Sequence, residues 1–207
     1  IYTSTLISIF RTVGGVLYTS IITGLASYAI SKRAMPGNRA IALFLIIPMY
    51  VSGGLLPYYV TISQLHLFNN LLVYILPHGF WAFNMLLMRT YFDTIPPELD
   101  EAAIVDGTTR LGAMVRVVLP VSTPGLAATA VYCFLLAWNE FLYAIVMVPT
   151  RTSRTLPLAI FNFLGENRSD YALGAASLVA STLPVLVLYL FLSERFIEGM
   201  TAGAVRG

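Results

Sequence analysis

Residues 89–120 read RTYFDTIPPELDEAAIVDGTTRLGAMVRVVLP, a polar stretch set between long apolar runs. Pro96 and Pro97 suit a helix start, and Glu98, Asp100 and Glu101 complement the positive end of its dipole. Gly107 sits where a left-handed residue would close that helix. Thr108 or Thr109 can cap a second helix, in which Leu111, Met114, Val115 and Val118 fall at i, i+3, i+4, i+7 and form one apolar stripe. Pro120 is expected to end it. The stretch therefore predicts a small helical hairpin, and its Ala102–Ala103 surface permits close approach to something it packs against.

On either side the chain is apolar. Of its 207 residues 57% are hydrophobic and 11% charged, where a soluble domain carries about 25% charge. Five apolar runs, 13–30, 40–62, 71–88, 121–148 and 171–192, are comparable with the roughly 20 residues that cross a bilayer core. Charges gather between them. The sequence predicts an all-α polytopic membrane protein of one domain, residues 1–207, with residues 89–120 as a hairpin within it. Pro48, Gly53, Gly54, Pro57, Pro77, Gly79 and Pro184 fall inside runs, where they bend helices lining a path or serve packing.

Basic residues set the orientation. With Lys32, Arg33 and Arg39 inside, that side also receives Arg89, Arg110, Arg116, Arg195 and Arg206, while the other holds Arg11, Arg151, Arg154 and Arg168, eight against four. The hairpin and the C-terminus are then cytoplasmic and the N-terminus external. Five spans and no initiating methionine predict a lost preceding helix and six spans in the intact subunit, with a cleaved signal peptide as the rival. The net charge of +2 gives no reason to expect a nucleic acid partner. Cys133 is the single cysteine, which excludes a disulfide framework within the chain. His66 and His78 have no third ligand at metal-site spacing, so no metal is expected.

The run Glu101-Ala102-Ala103, Gly107, Val117, Leu119-Pro120 resembles the EAA loop of binding-protein-dependent ABC importer permeases, EAA-x3-G-x9-I-x-LP, departing only at Val117. Two more stretches are similar to the carbohydrate branch of that family, the one with the maltose-type second permease subunit. They are Trp138-Asn139-Glu140-Phe141-Leu142-Tyr143-Ala144 and the ending from Gly199 to Gly207. The resemblance implies a transport subunit of the cell membrane, not an enzyme. Its implied partners are a second permease subunit, two cytoplasmic ATPases that bind ATP and Mg, an extracytoplasmic solute-binding protein, and membrane lipid. No phosphate loop of the G-x4-G-K-[ST] type occurs in this sequence. The implied coupling residues are Glu101, Ala102, Ala103, Asp106, Gly107, Leu119 and Pro120. Glu101 would hold the hairpin through a basic partner on the ATPase or on this chain. A side chain at Gly107 would strain the turn and push the hairpin helices apart.

For the solute path the candidates are Asn84, Trp138, Asn139 and Glu140. Glu140 is the acid placed well inside a run, where ionisable groups are functional suspects. It either lines the path, lies near the outer interface, or pairs with the partner subunit. Trp138 and Asn139 are types that stack on and hydrogen-bond to sugar rings. Asn84 is equally a helix-packing amide. Tyr58 and Tyr59 read as interfacial aromatics. Residues 149–170 read as an external segment that either meets a binding protein or is simply solvated. Two rivals remain: an ABC permease for another solute such as polyamine or phosphate, and an ion-coupled transporter using Glu140. The second leaves the hairpin without a purpose.

Overall fold

The computed structural model describes residues 2–32, 35–51, 53–150, 153–166 and 171–204, with Arg39, Glu166, Leu173 and 192–204 described by backbone alone. Arg33, Arg151, Arg168, Asp170 and the tail from Val205 lie outside the described residues. All regular structure among those described is helical. In order it comprises α1 (Tyr2–Ser31), α2 (Asn38–Tyr50), α3 (Leu55–Gln64), the 3₁₀ turns Leu71–Tyr74 and Leu76–His78, α4 (Ala82–Phe92) and α5 (Pro97–Val105). Then come α6 (Arg110–Ala113), a π-helical segment Met114–Val118, α7 (Leu119–Val121), α8 (Thr123–Asn139), α9 (Leu142–Met147), α10 (Leu156–Glu166) and α11 (Tyr171–Ala204).

Two helical stretches, Tyr2–Ser31 and Gly174–Phe191, are long and apolar enough to cross a membrane alone. Three pairs reach that standard only together, each across a short break: Ala40–Tyr50 with Leu55–Gln64, Leu71–His78 with Ala82–Phe92, and Arg110–Val121 with Thr123–Asn139. The apolar runs thus correspond to two to five candidate spans. The first two breaks fall where the backbone loses donors or gains freedom. The run 40–62 contains Pro48, Gly53 and Gly54, and the run 71–88 contains Pro77 and Gly79. The run 121–148 divides at Glu140 and Phe141, between α8 and α9.

The chain forms two compact units. One comprises Ile1–Tyr18, Gly53–Gly79 and Tyr132–Phe191. Its core joins α3, the first 3₁₀ turn, α9 and α10 through Ile62, Val73, Tyr74, Ala144, Met147, Val148 and Leu158. A second cluster sets Trp138 on Leu156 and Ile160. Residues 149–170, read above as a polar external segment, thus include the helix α10, whose Leu156, Leu158 and Ile160 are buried. Apart from Asn162 and the closing Gly165-Glu166 that helix is apolar throughout, which the charges at either end of the segment obscure.

The other unit comprises Thr19–Ser52, Phe80–Val131 and Leu192–Gly207. Its core holds Tyr28, Met88, Phe92, Met114 and Val118. A second cluster holds Ile30, Leu45 and Met85. Two glycines make close approaches possible. A Cβ at Gly125 in α8 would meet the Tyr91 ring at 2.6 Å; in the first unit, one at Gly79 would meet the Tyr18 ring at 2.1 Å.

Helix α1 inverts the soluble pattern. Ser4, Ser8, Arg11, Thr12, Thr19, Thr23 and Ser27 are buried, whereas Leu6, Phe10, Val13, Leu17, Ile21 and Leu25 are exposed. Both sets recur every three or four residues, so one stripe of the helix is polar and covered while the opposite one is apolar and open. That is the arrangement for a surrounding of hydrocarbon, in which polar groups need partners inside the protein.

Gly125→Val should cost about 1–3 kcal/mol of stability by overpacking, seen as a lower unfolding midpoint in detergent. A Cβ at Gly15, inside α1, meets nothing within 4 Å, so Gly15→Ala should leave the midpoint unchanged or raise it.

Candidate functional site

The segment 97–121 is built from local rules. Pro97 opens α5 with Glu98 and Asp100 in its first turn. The helix closes in a Schellman arrangement: Gly107 N–H donates to Ile104 O at 3.0 Å and Thr108 N–H to Ala103 O at 3.1 Å. This needs a left-handed residue, and Gly107 has φ +87°. Of the two candidate threonines, Thr109 caps α6, its hydroxyl accepting from Gly112 N–H at 3.1 Å. The Thr108 hydroxyl donates back to Ala103 O at 2.6 Å.

Three expectations are corrected here. Pro120 is not the last residue of the second helix, which ends one residue later, at Val121. Proline lacks an N–H and crowds the carbonyl four residues back. The π turn 114–118, in which Leu119 N–H donates to Met114 O, widens the ladder just before it. The chain turns instead at Ser122, whose hydroxyl donates to Val118 O at 2.5 Å. The apolar stripe also divides: Met114 and Val118 are buried, but Leu111 and Val115 are exposed. Finally, a Cβ at Gly107 meets nothing within 4 Å, so a side chain there would strain the backbone without pushing the helices apart.

The coupling candidates occupy different surroundings. Glu101, Ala102, Asp106, Gly107 and Pro120 are exposed, Ala103 is buried, and Leu119 packs half-buried against the Tyr28–Met88–Phe92 cluster. Glu101 has no ion-pair partner among the described residues. Ile104, Val105, Leu111 and Val115 leave apolar side chains uncovered, Val105 at 85% exposure. Asp100, read above only as a dipole-complementing acid, is buried. Its Oδ1 accepts from the Tyr28 hydroxyl at 2.5 Å, and its Oδ2 lies 2.8 Å from Lys32 Nζ. The sequence carried no sign of this pairing, because 72 residues separate Asp100 from Tyr28.

The path candidates fall in two units. Asn84 is buried in α4, in the unit that holds the segment just described. Trp138, Asn139 and Glu140 belong to the other unit. Trp138 is buried, stacks on Phe134 and donates its indole N–H to Ser181 O at 3.0 Å. It also lines a pocket of about 280 Å³ with Thr5, Leu156, Ala176, Ser177, Ala180 and Pro184. Asn139 is exposed at the end of α8, its amide donating to Leu135 O at 2.9 Å.

Glu140 is committed at both oxygens. Oε1 accepts from Tyr143 N–H and so caps the first turn of α9. Oε2 lies 2.8 Å from Arg11 Nη1. Arg11 is 1% exposed and sits over the Tyr74 ring at 5.0 Å. The Tyr74 hydroxyl donates to Ser153 O at 3.1 Å, and Ser8 accepts from Leu156 N–H at 2.7 Å. Arg11 is therefore misplaced in the external charge count above: it lies within α1, which begins well before the apolar run at 13. The recurring Ser4, Ser8, Arg11 and Thr12 were the available signal. Among the described residues no three His, Cys, Asp or Glu side chains gather as metal ligands.

Residues 20–201 match the model of a family described as binding-protein-dependent transport system inner membrane component. The chain is 31% identical to the trehalose/maltose transport system permease protein of Thermococcus litoralis, the match covering 92% of this chain and 70% of that one. It is 28% identical to the polygalacturonan/rhamnogalacturonan transport system permease protein of Bacillus subtilis, over 100% of this chain and 78% of that one. It is also similar to a chain of a bacterial ABC transporter involved in the import of the acidic polysaccharide alginate. There the TM-score is 0.85 and the identity 27%, over 94% of this chain and 75% of that one.

Removing one member of a buried ion pair leaves an uncompensated charge, at a cost of about 3–5 kcal/mol. Arg11→Met and Glu140→Gln should therefore each destabilise the protein strongly in equilibrium unfolding in mixed micelles. The double variant should recover most of the loss.

Proposed function

Since this chain belongs to the binding-protein-dependent transport system inner membrane components, we propose that it is the permease subunit of an ATP-driven importer whose cargo is a carbohydrate. The family is a transport subunit of the inner membrane. The carbohydrate reading is supported by the relatives named for trehalose and maltose, for polygalacturonan and for alginate.

The observation that carries the coupling role is the segment 97–121. Its helix ends are closed by their own capping hydrogen bonds, and it leaves Glu101, Ile104, Val105, Leu111 and Val115 uncovered. An acid beside four uncovered apolar side chains fits a groove on a partner protein better than it fits water. In our reading this segment is the core of a cytoplasmic hairpin, residues 89–120, that docks on an ATPase holding ATP and Mg. The chain then crosses the membrane five times with its C-terminus cytoplasmic, beside a second permease subunit, and receives solute from an extracytoplasmic binding protein. Glu101, Asp106 and Gly107 present the docking surface, Ala102 and Ala103 allow close approach, and Leu119 and Pro120 join the hairpin to α8.

For the solute path, Asn139 is the exposed candidate and the one we assign to contact with the cargo. Trp138 and Glu140 shape its surroundings, because the indole N–H and both carboxylate oxygens are already engaged. Asn84 serves packing.

A series at Gly107 tests the docking role. Asparagine tolerates the left-handed region, whereas valine there costs about 1–2 kcal/mol or more. Gly107→Asn should retain the ATPases on co-purification, and Gly107→Val should lose most of them while still inserting and folding. Full recovery of ATPase with Gly107→Val would refute the docking role.

A further inference from the structure

The docking helix α5 has nine residues and is joined to its neighbours by the turns at 93–96 and 106–109. A helix that short, held by its turns alone, would rock when pushed, and a partner's movement would be lost at the joint. Its covered side carries Asp100, whose two carboxylate oxygens are taken by Tyr28 of α1 and by Lys32, the residue that follows that helix. Tyr28 Oη donates to Oδ1 at 2.5 Å, and Lys32 Nζ lies 2.8 Å from Oδ2. Tyr28 and Lys32 stand four residues apart, on one face of a helix end. Lys32 Nζ also sits 4.3 Å from the centroid of the Tyr28 ring. The same ring meets Phe92, the last residue of α4, edge-on at 6.0 Å and 81°. One side chain of α1 thus touches two other helices, α4 and α5. Ser27 adds a hydrogen bond to Met85 O at 3.0 Å, fastening α1 to α4 one residue away.

Two independent anchors on one carboxylate fix its rotation as well as its position. Asp100 is largely withdrawn from water, and its 2.8 Å contact with Lys32 is closer than the 3.8 Å pair Arg89–Asp93, whose carboxylate is half exposed. We propose that Tyr28, Lys32 and Asp100 are positioning residues that clamp α5 to the C-terminal end of α1. A displacement of the docking helix is thereby passed to a membrane-crossing helix without slack. The proposal rests on the docking role of 97–121. It concerns residues on the opposite side of α5 from the exposed Glu101 and Val105.

The test is a distance measurement between spin labels at Ile21→Cys in α1 and Glu98→Cys in α5, both exposed, in a Cys133→Ala background. The complex is taken in lipid nanodiscs without nucleotide and with Mg-ATP plus vanadate. With the clamp intact, one narrow distance should appear in both states. Asp100→Asn combined with Lys32→Met should give a roughly twofold broader distribution that shifts with nucleotide, as a locally loosened element does. ATPase recovery should be unchanged, since the docking surface is untouched. Tyr28→Phe, which removes only the hydroxyl, should broaden it less. The exchange Lys32→Asp with Asp100→Lys should restore the narrow peak. A wild-type distance that moves with nucleotide, or a narrow, immobile one in Asp100→Asn/Lys32→Met, would overturn the clamp. If the unaltered chain recovers no ATPase, the docking reading fails instead. The width in the isolated chain then still decides whether the clamp exists.

Discussion

A charge withdrawn from water must find its counter-charge within the protein, and the buried pair Arg11–Glu140 shows how much geometry follows from that requirement. The guanidinium reaches the carboxylate at 2.8 Å across 129 residues of sequence. This fixes α1 against the break between α8 and α9. With Oε1 capping α9, the break is held open as a defined feature and not left as a frayed helix end. Tyr74 and Ser8 tie the surrounding turns to the same part of α1. In hydrocarbon no solvent would rescue any of these groups, so each bond is obligatory. The same requirement explains why α1 buries hydroxyls and exposes leucine and isoleucine.

The other compact unit repeats the principle at its own scale. Asp100 is covered because Tyr28 and Lys32 supply a donor and a charge, and the cover leaves α5 exposed on one side only. A segment that is stiff inside and partly uncovered outside is suited to recognition by another protein, since little ordering entropy remains to be lost on docking.

What the sequence disclosed was local. Pro97, Gly107 and Thr109 act within four residues of themselves, so the ends of α5 and the start of α6 can be read from residue types alone. The split of the run 121–148 at Glu140 could not, because its stabilising partner, Arg11, is distant in sequence. The pairing of Asp100 with Tyr28 went unread for the same reason. Pro120 misled because the rule for proline assumes an unbroken α ladder, and the π turn 114–118 changes the ladder just upstream. The charge count counted Arg11 as external because a charged residue was taken to mark the end of a span. In α1 it marks the covered face, and the serines and threonines at the same spacing were the legible sign. The path candidates Trp138 and Asn139 were chosen by chemical type, which says nothing of whether an indole N–H is already engaged.

The account stands on the energy source. This chain, reconstituted in proteoliposomes with the second permease and ATPases proposed for it and with the proposed binding protein outside, can be offered a panel of labelled mono- and oligosaccharides. ATP is then enclosed in the vesicles or omitted, with and without proton and sodium gradients. Accumulation should require enclosed ATP together with the binding protein and should ignore both ion gradients. Uptake driven by a proton or sodium gradient through this chain alone would contradict the account and make Glu140 a coupling-ion site.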